Sequence, residues 1–263
     1  MIIGILSDIH EDLIRLKEVL TIFEKKNVND IVCLGDLVGF SVPYYPYLDS
    51  RDANEVVRII KENCTFCVIG NHDLYAVHKI PHQRSFFNYP ADWYGMDFHT
   101  RKQLASGKVY LYEDNELPSL LTSQNKDYLM SLPEYVVMNC GAYNIMLTHY
   151  AFPDITGSAT HEVLFPSDLQ EHWEFMINHQ CLYSFSGNDH FEGMRLFTQN
   201  QCKDYGFEEV QLPDRLLWLH GPTVSKGTFK NGCMIYDTER RVIEAIPLYS
   251  ETHTIAGNRE VQR

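Results

Sequence analysis

The sequence predicts an α/β chain built on a parallel sheet, and two observations carry that expectation. In the first 70 residues, short β-branched runs alternate with amphipathic helical stretches, an order that requires right-handed crossovers between parallel strands. Asp8, Asp36 and Asn71 each stand just past one of those runs. In such sheets ligands collect beyond the carboxyl ends of the strands.

The elements follow in order. Ile2–Leu6 is a short apolar run, predicted as a buried strand. Leu13, Leu16, Leu20 and Phe23 recur at three- and four-residue spacing, which predicts a helix ending near Asn27. Ile31–Leu34 is predicted as the second strand, Asn54–Lys61 as the second helix and Phe66–Ile69 as the third strand. From Phe40 to Pro118 the rest is irregular and aromatic, with Pro43–Tyr47 and Phe86–Tyr94 read as turn-rich surface segments. Residues 75–118 are expected as a loop or cap insertion in a single domain over residues 1–250, packed by its own aromatics or forming a wall beside the substrate. Thr122/Ser123 is expected to cap a short helix reaching Leu132-Pro133. Tyr135–Met138 and Tyr143–Thr148 are expected to pair antiparallel around Cys140-Gly141. Ser167–Gln170 reads as a capping box for a helix through Ile177. Further strands are expected at Cys181–Phe185, Leu216–Leu219, Cys233–Tyr236 and Val242–Ile246, followed by a polar tail from Glu251.

Composition narrows the function. At 263 residues and 44% hydrophobic, the chain can bury a sizeable core. The net charge of -13 and the lack of basic clusters argue against long nucleic acid and anionic membrane as partners. A phosphorylated substrate stays open, because bound divalent cations reverse the sign of the local field. The seven cysteines are odd in number and lie mostly in strand-like runs, which fits a reduced, cytoplasmic setting. Cys64-Thr65-Phe66-Cys67 has redox or half-zinc-site spacing, but no second pair accompanies it. Met1–Leu6 lacks a basic flank and meets Asp8 too soon for a signal peptide, and no run approaches the ~18 apolar residues of a membrane span.

Five segments end a strand-like run on an oxygen or nitrogen ligand: Asp8-Ile9-His10, Gly35-Asp36, Gly70-Asn71-His72-Asp73, His149 and His190. A hydrolytic two-metal site needs a bridging carboxylate, with imidazoles and neutral oxygens completing the shells. Asp8 and His10 can reach one ion from an irregular loop, Asp36 can bridge, Asn71 offers an amide oxygen, and His149 and His190 offer nitrogens. His72 follows a ligand immediately and so points elsewhere, which suits a group acting on substrate.

Together these segments resemble the calcineurin-like metallophosphoesterase superfamily, in particular its small bacterial and archaeal phosphodiesterase-like branch. The matches run over about residues 5–190, and the strands around Gly221-Pro222 resemble the closing segment more loosely. The resemblance implies a four-layer α/β/β/α sandwich with two mixed sheets packed face to face. It implies that Asp8, His10, Asp36 and His190 hold one divalent ion, and that Asp36, Asn71, His149 and residue 188 hold a second. A hydroxide shared by the ions would attack phosphorus in line, and His72 would serve as general acid to the leaving oxygen.

One position departs from the pattern. Where the family has the first His of Gly-His-x-His, this chain has Asn188. An amide oxygen is a harder, weaker ligand than imidazole, so the second site should favour manganese or magnesium relative to zinc, with iron and nickel also candidates. Alternatively, Asn188 is a bystander and the second ion arrives only with substrate. Asp189 is expected to point away from the ions. The remaining histidines read as structural, His161 and His220 being the two expected nearest the cleft, and Tyr150 is expected in the core. Arg195, and beside it Lys226, are the cations considered for phosphate contact.

The leading expectation is a metal-dependent phosphodiesterase acting on a small phosphorylated substrate. The alternatives are a phosphomonoesterase, a Ser/Thr protein phosphatase, or a non-catalytic scaffold. His72 with Asp36 weighs against a scaffold, which needs neither. The acidic, aromatic surface permits a dimer without requiring one.

Overall fold

A computed structural model describes residues 1–83 and 86–249; the polar tail expected from Glu251 lies outside the described residues. One six-stranded sheet runs β11 (Glu209–Gln211), β14 (Val242–Pro247), β13 (Gly232–Asp237), β1 (Ile2–Leu6), β2 (Asp30–Cys33), β4 (Phe66–Cys67). The other runs β10 (Cys202–Tyr205), β9 (Met194–Phe197), β12 (Leu217–Pro222), β8 (Cys181–Phe191), β7 (Asn144–Thr148), β6 (Tyr135–Asn139). A ribbon of β3 (Phe40–Ser41) and β5 (Glu116–Leu117) stands apart. Both large sheets are mixed: β1–β2, β2–β4, β7–β8 and β8–β12 pair parallel, and the other neighbours pair antiparallel.

The alternation of β1 shows how the layers form. Ile3 and Ile5 face the second sheet and pack with Tyr183, Phe185, Leu217 and Leu219. Ile2 and Leu6 face outward, against helices α1 (Leu13–Lys25) and α2 (Ala53–Asn63). These helices are capped by Asp12 and Asp52, whose carboxylates accept the Arg15 and Glu55 amides. The apolar stripe of α2, including Val56, Val57 and Ile60, is fully buried, and each such side chain contributes about 1.5–3 kcal/mol. On the far side Trp173 and Met176 of α6 (Gln170–Asn178) pack on Trp218 and Phe197. The expected four-layer sandwich is the observed one.

Some expectations need correction. α6 is entered through a 3-10 turn at Pro166–Leu169, and the capping group is Asp168, which accepts the Leu164 and Phe165 amides, not Ser167. β8 runs on to Phe191, because its buried Ser184, Ser186 and Gly187 do not read as a strand. The insertion is more ordered than a loop. It holds α4 (Phe98–Ala105), and Phe87, Trp93, Ala105 and Val109 form a small core with Ala159. A further helix, α3 (Asn71–Ala76), starts directly at the Asn71-His72 pair, and α5 (Ser123–Ser131) is capped by Thr122 as expected.

Candidate metal centre

Two loops at the carboxyl ends of β1 and β2 are stitched together. The Asp8 amide donates to Gly35, those of Ile9 and His10 to Asp36, and that of Glu11 to Leu37. Three buried site residues here, Asp8, His10 and Asp36, have left-handed backbones (φ 55, 46 and 53), as do Asn188 and His190 at the end of β8 (φ 77 and 52). Non-glycine residues rarely adopt that region, and such strain concentrates at functional sites. Gly70 permits a close approach. A Cβ there would collide with the Asp36 carboxylate, which instead accepts the His72 amide at 2.9 Å. Asp73 braces the same loops by accepting the amides of Leu37, Val38 and Gly70 at 2.9–3.1 Å.

The structure brings the sequence-predicted residues from both sheets to one place. Asp8, His10 and His190 present ligand atoms within 4.8 Å of one another, as do Asp8, Asp36 and His149. Asp8, His10 and His149 are fully buried. His10 Nδ1 faces the Gly39 carbonyl at 2.9 Å, so its Nε2 lone pair is turned inward, 3.1 Å from His190 Nε2. His149 Nδ1 faces the Leu34 carbonyl at 2.6 Å, and its Nε2 points between Asn71 Oδ1 (3.0 Å) and Asp36 Oδ2 (3.1 Å). Asn71 is turned so that its Nδ2 donates to the Tyr112 hydroxyl at 2.6 Å, which leaves its oxygen to the site. Asn188 donates its backbone amide to Asp8 at 3.0 Å and its Nδ2 to Asp189 at 2.9 Å. Its Oδ1 lies on the His149 side, against Gly157.

The charges tell the same story. Burial works against ionised Asp8, yet His149 and His190 hold its carboxyl far below the ordinary range. Burial likewise opposes Asp36, but His149, His72 and His10 keep it at about 2. Burial and the His72 imidazole push His10 down to about 3, so it is neutral and its lone pair is free. Against burial, Asp36 and Asp8 pull His149 up to about 10. Two buried carboxylates would each cost several kcal/mol without compensating positive charge. Converging carboxylate, amide and imidazole lone pairs in that field fit divalent cations, and the mixed oxygen and nitrogen donors suit first-row metals or magnesium.

His72 differs from the ligands in one respect and resembles them in another. Its Nδ1 sits 2.6 Å from Glu116, outside the cluster, and its ring meets that of His10 edge-on at a centroid distance of 4.8 Å. It is nearer the ligands than its sequence position suggests, since one of its nitrogens lies within 4.8 Å of ligand atoms of His10 and Asp36. Against burial, Asp36 and Glu116 lift it to about 9, so it carries a proton at neutral pH.

Other residues take different places. Arg195 is committed to its cross-strand neighbour Asp204 through Nε and Nη2 and lies over the Phe191 ring at 4.0 Å. Lys226 is half-buried and donates its backbone amide to Asp12. Asp189 is exposed. His220 is buried among Trp218, Phe191 and Tyr150, its Nε2 accepting the Asp189 amide, and the exposed His161 packs at a tilt against Phe86. Tyr150 is in the core as expected, accepting the Val163 amide. All seven cysteines are free thiols, and burial pushes Cys64 and Cys67 well above the usual range, which makes them poor nucleophiles. Among the described residues no helix is long and apolar enough to cross a membrane. The sequence reading missed Glu116 and Tyr112. Their only signal was membership of an aromatic, acidic insertion.

Comparisons with known proteins identify the family and the fold. The calcineurin-like phosphoesterase family pattern matches residues 1–208. The uncharacterized protein MJ0912 of Methanocaldococcus jannaschii is 35% identical over 71 residues, 27% of this chain, so the match spans about a quarter (26%) of that relative's length. Among solved structures, a metallophosphoesterase from Sphaerobacter thermophilus superposes with a TM-score of 0.65 at 17% identity, covering 95% of this chain and 89% of its own. Hypothetical protein PH1004 from Pyrococcus horikoshii OT3 superposes with a TM-score of 0.58 at 14% identity, covering 95% and 88%. At those identities the likeness speaks for the fold. With the family pattern covering most of the sequence, the chain belongs to the calcineurin-like phosphoesterase family, hydrolases of phosphate esters that work with divalent metal ions.

Proposed function

We propose that this protein is a metal-dependent phosphodiesterase acting on a small phosphorylated molecule. In this reading Asp8, His10, Asp36 and His190 hold one divalent ion, and Asp36, Asn71, His149 and Asn188 hold the other. Bound ions would polarise the phosphoryl oxygens and lower the pKa of attacking water. The observation that carries the reading is the His72 imidazole held through Nδ1 by Glu116 at the edge of this cluster of ligand atoms. Glu116 occupies its Nδ1, so Nε2 is the edge available to a leaving oxygen. A proton donor contributes most where the leaving group is a poor alkoxide, as in an alkyl diester.

The site's own charge supports dependence on metal. Asp8 and Asp36 stay ionised inside it, and bound cations would offset their repulsion of a phosphate. Docking of a phosphopeptide is less well supported. Arg51, Arg101 and Arg195 are paired with Glu11, Glu113 and Asp204, and among the described residues they form no shared cluster facing the site. The test is hydrolysis of a bis-aryl phosphate diester and an aryl monoester with Mn²⁺, Mg²⁺, Ni²⁺ or Zn²⁺. Metal-dependent turnover with the diester preferred is expected; folded protein inactive with every metal would overturn the proposal.

A further inference from the structure

Asn71 and His72 do not orient themselves. Both are held by one short piece of the aromatic insertion, residues 109–117. The Tyr110 amide donates to Ser158, and Val109 bridges to Ala159, which ties the start of this piece to the loop after His149. β5 pairs with β3, Ser41 opposite Glu116 and Phe40 opposite Leu117, which ties its end to the chain following Gly39. Between these anchors the Glu116 and Asn115 amides turn back to the Tyr112 carbonyl at 2.9 and 3.2 Å. That single turn puts Tyr112 and Glu116, four residues apart, on the same side.

There each meets one member of the pair. The Tyr112 hydroxyl accepts the Asn71 amide at 2.6 Å, and the Glu116 carboxylate takes His72 Nδ1 at 2.6 Å. The Tyr112 ring also packs on the His72 ring at 4.4 Å between centroids. Gly39 leaves the opposite side open, since a Cβ there would fall 2.6–2.8 Å from the His72 side chain. An amide can present either oxygen or nitrogen to a cation, and only the oxygen can ligate. A protonated imidazole has two N–H edges, and holding Nδ1–H on an acceptor leaves Nε2–H to face substrate.

We infer that Tyr112 and Glu116 are positioning residues supplied by the insertion: Tyr112 sets the ligating face of Asn71, and Glu116 sets the aim of His72 by holding its Nδ1–H. The inference rests on the proposed phosphoesterase reading for His72 but not for Asn71. Outer contacts of this kind typically change metal affinity by about 10–100-fold.

The test uses two variants with separate readouts. Metal-free Tyr112→Phe, titrated calorimetrically with Mn²⁺ alone, should bind the weaker of two ions about tenfold less tightly while its circular dichroism is unchanged; affinity equal to wild type would overturn the role of Tyr112. Glu116→Ala should bind Mn²⁺ as wild type does and lose about tenfold or more in kcat on a diester with an alkyl leaving group. It should lose clearly less on one with a nitrophenyl leaving group, and Glu116→Gln, which keeps an acceptor for Nδ1–H, should recover part of the loss. Equal losses on both substrates, or a Gln variant no better than Ala, would overturn the role of Glu116. If wild-type protein hydrolyses neither diester, the phosphoesterase reading fails, while the Tyr112→Phe titration still decides the orientation of Asn71.

Discussion

His149 Nδ1 lies 2.6 Å from the carbonyl oxygen of Leu34, and that contact fixes which nitrogen the site receives. A carbonyl only accepts, so the proton stays on Nδ1 and Nε2 is turned to Asp36 and Asn71. Leu34 follows β2 and precedes Asp36 by two residues, so a histidine from the second sheet is keyed to the carboxylate loop of the first.

Metal should therefore stabilise the fold measurably. Each Mn²⁺ at one hundred times its dissociation constant should add about 2.7 kcal/mol to metal-free protein, and His149→Ala should lose the share of the ion it holds while keeping that of the other. Calorimetric unfolding with and without Mn²⁺ checks this; a Tm indifferent to metal in the wild type would count against the site.

His72→Ala should separate binding from turnover. With Glu116 and not a metal as the partner of Nδ1, the variant should retain Mn²⁺ and lose about 10²–10⁴ in kcat. Loss of an ion on titration would instead make His72 a ligand.

Asn188→His should tighten the second ion. The Asn188 oxygen lies against Gly157, whose other neighbour is the His149 ring, and an imidazole there would favour Zn²⁺ over Mg²⁺ by about tenfold, ~1.4 kcal/mol. Competition titrations with both metals measure this, and unchanged affinities would mean that residue 188 does not ligate.

Acid should act through a residue far from the metals. His172 is fully buried, its Nδ1 accepts the Phe152 amide, and burial holds it at about 3. Unfolded His titrates near 6.5, so between those values the unfolded chain holds a proton that the folded chain lacks. Stability is therefore complete above about pH 6.5 and falls as pH drops toward 3, by on the order of 3 kcal/mol at pH 4.5. Denaturant titrations at pH 7.5 and 4.5 should show a smaller acid loss in His172→Asn, which keeps an acceptor but has no ionisable ring; equal losses would exclude His172 as the cause.

Asp73→Asn should loosen the loops without touching a ligand. Both Asp73 oxygens accept backbone amides, Leu37 and Val38 on one and Gly70 on the other, so an NH₂ must face a buried donor. A cost of about 1–3 kcal/mol is expected. Urea unfolding measures it, and a variant as stable as wild type would mean that the braces are dispensable.

The layers and most of the centre were legible in the linear chain. Ile2–Leu6 and the helices after it announced themselves through period and capping, because burial on one face repeats at short, regular intervals. Asp8, His10, Asp36, Asn71, His149 and His190 were legible because each lies at or just past the end of a strand-like run in the sequence, where a parallel sheet presents its ligands. α4 and the extension of β8 were not: one has little apolar periodicity, and the other is lined by small polar residues that only tertiary packing buries.

The orientation of the central pair belongs to the tertiary structure. By itself the sequence placed Asn71 and His72 with Asp36 beyond the carboxyl ends of the strands. Which atom of each faces inward was decided by Tyr112 and Glu116, about 40 residues away along the chain. Amide rotation and imidazole orientation have no preference along a linear chain. They acquire one only from the partners that folding brings alongside.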